Sequence, residues 1–293
     1  MSLSSHVSDT CYFHIPAVLW DRLPSWMQGA EPGELICPHI ALTSNPAPAT
    51  LYNDDYFWIT KYMCLELVAA MAILAIFIPL ARKIRRGGPP QGRFWNLFEW
   101  GLLFVRDGIA RPAIGGKGAD RFLPFLWTLF FFILFCNLLG MVPWCGSATG
   151  SISVTMVLAC ATFITVVFSG SKRFGVIGFW RAQVPDVDLP LPIAILLKPL
   201  LFCVEVLGLF VKHGVLGVRL VANMFAGHLV LVVILGFIAA AAHSSTMVWG
   251  SVTAVTVIGC VALSMLELFV AFLQAYVFTF LSAVFIGMAV HRH

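Results

Sequence analysis

The sequence predicts an all-α polytopic membrane protein, on three observations. Apolar runs of membrane-spanning length recur from about residue 57 to the C-terminus. The chain is 60% hydrophobic and only 11% charged, where a soluble domain is nearer half apolar and about a quarter charged. The runs are continuous rather than alternating, which excludes the strands of a β-barrel. Three ordinary transmembrane helices, one interfacial amphipathic helix and two long, strongly tilted helices account for them.

Residues 1–56 are polar and proline-rich, with no long apolar run. They read as a loop-rich extramembrane segment with room for a small hairpin. They lack the basic and apolar regions of a signal peptide and the arginines of a transit peptide. Cys11 and Cys37 would form a disulfide there if the segment faced an oxidising compartment.

The first span is expected from Trp58 to Ala81, ending in the basic cluster Arg82-Lys83-Ile84-Arg85-Arg86. Basic clusters stay cytoplasmic, so the N-terminus should be periplasmic. Gly87-Gly88-Pro89-Pro90 then breaks the helix. Phe94 to Ile109 intersperses Glu99, Arg106 and Asp107 among aromatics and is too polar to span, so it should lie along the cytoplasmic interface. The second span runs from about Phe122 to Val142 and carries Asn137, a polar group that needs a partner in lipid. That partner is either a neighbouring helix or a channel. The third, about Ser151 to Phe168, is rich in small residues and ends at Lys172-Arg173.

Two apolar stretches of roughly fifty residues follow, near 189–242 and 246–290. A continuous helix of that length would measure on the order of 75 Å, against a hydrocarbon core of about 30 Å. Each must double back or lie strongly tilted. Pro190, Pro192 and Pro199 sit near one end and none interrupts residues 200–290, which favours long tilted helices.

Arg219 lies deep inside the first of these stretches, between Val218 and Leu220. It cannot lose its proton, and a charge at that depth costs about 2.5–3.5 kcal/mol on insertion scales, so it is a functional candidate by default. Asn223, one turn on, shares its face. Lys212 and Glu205, seven and fourteen residues earlier, fall within about 40° of it, and His228 is rotated by about 180°. In the last stretch Glu267 and Gln274 share a face. If the two helices run antiparallel, Gln274 lies level with Arg219 and Glu267 level with His228, giving an Arg–Gln layer and a charged layer. Histidine titrates near neutral pH and can carry protons, whereas arginine can only repel or pair.

The segment Arg219-Leu-Val-Ala-Asn223-Met-Phe-Ala-Gly227-His228 resembles the signature of subunit a of the F-type ATP synthase. Asn137-Leu-Leu-Gly-Met-Val-Pro143 and Glu267-Leu-Phe-Val-Ala-Phe-Leu-Gln274 extend the resemblance in order and spacing from about residue 57 to the C-terminus. It implies a proton-translocating subunit whose two long helices curve against a c-ring, with two offset half-channels. Arg219 would face the ring carboxylate and block short-circuit, served by Asn223, His228, Glu267, Gln274 and Glu205, with Asn137 and Lys212 in support. Family members commonly carry a histidine and an acid in either order at the positions of His228 and Glu267. The implied partners are the c-ring, b-type peripheral stalk subunits, protons and membrane lipid, in a bacterial inner membrane or, alternatively, a mitochondrial one.

No Walker loop, H-E-x-x-H or G-x-S-x-G motif is present, and the eight cysteines form no C-x-x-C pair. No catalytic residue, cofactor or metal is therefore expected. The net charge of +4 reflects loop bias rather than nucleic-acid binding. Two rival readings are an independent secondary transporter, which usually shows inverted repeats not found here, and a structural scaffold in which Arg219, His228 and Glu267 would be replaceable. The topology itself is testable. Single cysteines at Arg85 and Trp144, in a cysteine-free background, should label from opposite sides of the membrane; labelling from one side would contradict the assignment.

Overall fold

The computed structural model describes residues 12–14, 34–36, 39–41, 56–58, 61–85, 92–142, 147–181, 183, 191–243 and 245–291. Cys11 and Cys37 lie outside these residues. Four three-residue strands pair antiparallel in the N-terminal part: β1 (Tyr12–His14) with β2 (Glu34–Ile36), and β3 (His39–Ala41) with β4 (Tyr56–Trp58). All other elements among the described residues are helical.

The first long helix, α1, runs Lys61–Arg85. It carries Arg82, Lys83 and Arg85 inside its last turn rather than beyond it, because Arg and Lys are good helix formers and suit a helix C-terminus. The interfacial segment forms α2 (Arg93–Leu103) and continues as a π-helical stretch, Phe104–Ala110. Two one-turn helices follow, α3 (Arg111–Ile114) and α4 (Gly116–Ala119). Next come α5 (Leu123–Gly140), α6 (Ile152–Phe174) and the short α7 (Val176–Arg181). The two long stretches are unbroken: α8 is 50 residues, Leu191–Ala240, and α9 is 46 residues, Thr246–His291. Among the described residues five helices are long and apolar enough to cross a membrane, so this is a multi-pass membrane protein.

The chain divides into two compact units, each built from three stretches of sequence. The first comprises residues 1–76, 132–151 and 221–272. Its buried core includes Tyr62 and Leu65 of α1 against Ala148. Gly140 is a close-approach position there: a Cβ would fall 2.7 Å from the Ser147 Cβ and 3.0 Å from the Met224 methyl.

The second unit comprises 77–131, 152–220 and 273–293. Phe77, Phe98 and Phe131 form an aromatic cluster, with Phe77 and Phe131 centroids 4.5 Å apart. The Trp127 indole N–H donates to the Leu102 carbonyl at 3.0 Å, tying α5 to α2. Gly175, at φ 76°, takes the left-handed conformation that ends α6 and starts α7. The Phe179 ring then lies against Gly170, filling the space a side chain would occupy. At the far end His291 hydrogen-bonds the Ile114 carbonyl at 2.6 Å. On the π-helical stretch Asp107 bonds Arg106 and Arg111. The Arg106 hydrogen bond, more than charge alone, holds the Asp107 carboxyl below its ordinary range. This pairing persists through neutral pH and is lost only as pH falls through that lowered value.

Gly287 meets the backbone carbonyl of Ala113, and backbone cannot yield as a side chain can. Gly287→Ala should therefore cost about 1–3 kcal/mol by overpacking. Gly208→Ala, where nothing stands within 4 Å, should cost nothing. Thermal unfolding of the two variants in detergent, beside the unaltered protein, measures the difference.

Candidate functional site

Four residue groups stand out, two in each unit. In the second unit the buried stripe of α8 is His213, Leu216, Gly217 and Leu220, at helical spacing. Arg219 falls off that stripe and is exposed. Among the described residues its guanidinium has no hydrogen bond and no ion pair. Gln274, buried on α9, donates its amide N–H to the backbone carbonyl of Arg219 at 3.0 Å. The sequence register that sets Gln274 level with Arg219 thus produces a contact, but to the main chain rather than the guanidinium. A buried amide gains most by bonding a fixed carbonyl, and this leaves the charged group free to point outward.

Also in the second unit, Lys212 and Glu205 approach to 3.9 Å, two turns apart on α8 and both partly exposed. They line a cavity of about 560 Å³ with Gln183, Phe285 and His291. At that distance and exposure the pair contributes little to stability.

In the first unit Glu267 is buried against α8. Its carboxyl lies where a side chain on residue 227 would stand: a Cβ there would be 2.7 Å from Oε1. Gly227 therefore makes room for the acid. Glu267 and Asn223 line a second cavity, of about 220 Å³, with Ala226, Val230, Leu263 and Leu266. His228 follows Gly227 directly. Its Nε2 and the Glu267 Oε1 are both buried without a hydrogen-bond partner. The two side chains do not form the charged layer expected from the sequence; the His228 Nε2 and the Glu267 Oε1 each keep unused polar capacity.

The fourth group centres on Asn137, fully buried on α5. Its amide donates to the Ala271 carbonyl at 3.1 Å, and its oxygen accepts from the Thr149 hydroxyl at 2.7 Å. Thr149 in turn bonds Ser147 at 3.0 Å. Asn137 is thus a partner of α9 and of the 147–150 turn, as helix–helix hydrogen bonding requires.

Four participants were not legible beforehand. Gly227 becomes significant only once Glu267 is seen over it. Ser147 and Thr149 sit in a polar turn like many others. His213 is buried, bonds the Leu209 carbonyl at 2.8 Å and packs against Phe163 and Phe285. Its place four residues before Gly217 and seven before Leu220 on the apolar stripe was the available signal. Among the described residues no cluster of His, Cys, Asp and Glu could hold a metal.

Asn137→Leu should weaken the first unit by roughly 1–2 kcal/mol, the range for a polar contact between membrane helices. Asn137→Gln should recover part of that. Thermal unfolding in detergent reads both.

Comparison with known proteins adds an independent line. The profile of a family described as ATP synthase A chain matches residues 63–287. ATP synthase subunit a of Myxococcus xanthus is 43% identical over 238 residues, covering 80% of this chain and 75% of its own length. The Anaeromyxobacter sp. counterpart is 40% identical over 235 residues, 80% of this chain and 55% of that protein. That of Chloroherpeton thalassium is 41% identical, covering 79% and 66%. The chain spans three quarters of the first relative and between about half and two thirds of the others.

Proposed function

The chain belongs to the ATP synthase A chain family, and on that premise we propose that it is the proton-translocating subunit of the synthase membrane sector. It is non-catalytic itself and couples proton flow to rotation of a c-ring. Residues 57–293 form the membrane domain and 1–56 a periplasmic segment, in a bacterial inner membrane with the C-terminus cytoplasmic. Its partners are the c-ring and b-type peripheral stalk subunits.

The observation that carries this reading is Arg219: a permanent cation, exposed on an apolar helix, whose carbonyl is tied down by Gln274 while its guanidinium has no partner among the described residues. No acid among the described residues supplies its counter-charge, and the c-ring carboxylate meets that need. Arg219 draws the proton off each passing carboxyl and, being unable to titrate, carries none across. Protons reach the ring through the space lined by Glu267 and Asn223, with His228 and Glu267 as exchanging groups. They leave through the larger cavity lined by Glu205, with Lys212 beside it. Gln274 and Asn137 hold α9 in register. The lengths of α8 and α9 suit two helices strongly tilted along a ring.

Arg219→Ala should assemble, abolish proton-driven ATP synthesis and raise passive proton flux. Arg219→Lys should also abolish synthesis but leak less, since a charge remains while the planar fork is lost. Synthesis in vesicles beside passive flux is the measurement. Ordinary synthesis by the alanine form would reduce Arg219 to a structural residue and remove this mechanism.

A further inference from the structure

The second unit holds a further cavity, of about 510 Å³, that the proton path does not use. Arg121, immediately before α5, and Lys172 and Arg173, in the last turn of α6, contribute three cations to its lining. Phe122, Phe168 and Val290 supply apolar wall. All three basic side chains are exposed. Among the described residues none has an acid or a hydrogen-bond acceptor. Lys172 and Arg173 reach only the rings of Phe168 and Phe174, each at 5.9 Å. Asp120, next to Arg121 in sequence, does not line the cavity.

Three like charges facing one space repel one another unless an anion sits among them. The hydroxyls do not decide what that anion is: Ser169 donates to the Thr165 carbonyl and Thr165 to that of Ala161. Recognition therefore rests on the cations. The cavity's place in the chain narrows the ligand further. It lies where α5 begins and α6 ends, at the boundary of two membrane-crossing helices, which is the level of lipid headgroups. Phe168, one turn before Lys172, is 64% exposed, so apolar surface continues from the basic mouth along the helix. A free phosphate would use the cations and leave that surface bare. A phospholipid uses both, and basic pockets between membrane helices bind such headgroups.

We infer that Arg121, Lys172 and Arg173 form a binding site for the phosphodiester headgroup of an anionic phospholipid, with an acyl chain laid along Phe168. The site stands on its own geometry and does not depend on the proton path.

The test uses the assembled complex, extracted in detergent and reconstituted in nanodiscs of mixed phosphatidylglycerol and phosphatidylethanolamine. Bound lipid is counted by native mass spectrometry. The unaltered protein should retain phosphatidylglycerol at this site in preference to phosphatidylethanolamine. Each cation removed (Arg121→Gln, Lys172→Gln or Arg173→Gln) should lower that retention roughly fivefold, whereas Arg121→Lys should keep most of it. If variants at Lys172 or Arg173 do not assemble, Arg121→Gln alone decides, since it lies outside the basic pair that orients α6. Equal retention by Arg121→Gln overturns the proposal. So does equal retention of the two lipids, or displacement of the lipid by millimolar inorganic phosphate, which would mark a free-anion site.

Discussion

A guanidinium cannot shed its proton, and inside an apolar helix it cannot be left without a counter-charge. The structure meets this constraint in an unusual way at Arg219. No acid of the described chain approaches it, and the polar side chain that does reach this residue, Gln274, bonds the backbone carbonyl instead. The helix is thereby anchored while its charge remains unsatisfied. A residue serving only to join two helices would show the opposite arrangement, with the charge paired and the main chain indifferent. The proposed ring carboxylate is the simplest group that completes it.

The same economy appears at Glu267. Removing every side-chain atom from residue 227 costs helix propensity, since glycine is about 1 kcal/mol worse than alanine in a helix interior. In return, a carboxyl lies against the helix at the edge of a small cavity. Buried polar groups are normally bonded, so the unpartnered atoms on both His228 and Glu267 add nothing to stability and suit the exchanging role proposed for them. Asn137 shows the contrast: deeply buried, bonded on both sides, and structural in its contacts. The continuity of α8 and α9 separates this architecture from secondary transporters, whose sites are formed by broken helices.

Much of the fold was legible because apolar length and the placement of Pro and Lys/Arg dictate spans directly. The unbroken α8 and α9 follow from a proline-free run after Pro199, and the level of Gln274 with Arg219 follows from antiparallel helical spacing. Contacts were less legible. Spacing placed Gln274 beside Arg219 but could not say that its amide would choose the carbonyl. Likewise it set Glu267 level with His228 without revealing that the acid would settle over Gly227, because a missing side chain leaves no periodic signal. The cavities depend on how several helices pack, and the spacing of one helix does not encode them.

The central claim is that the face of α8 bearing Arg219 receives a carboxylate from a rotating partner. Disulfide cross-linking in the assembled complex tests it most directly. Ala226, two turns after Arg219 and exposed, shares its face, whereas Met224 is buried. With a cysteine placed beside the ring carboxylate, Ala226→Cys should cross-link readily under mild oxidation and Met224→Cys should not. Cross-linking at Met224 in preference to Ala226, or at neither, would contradict the account.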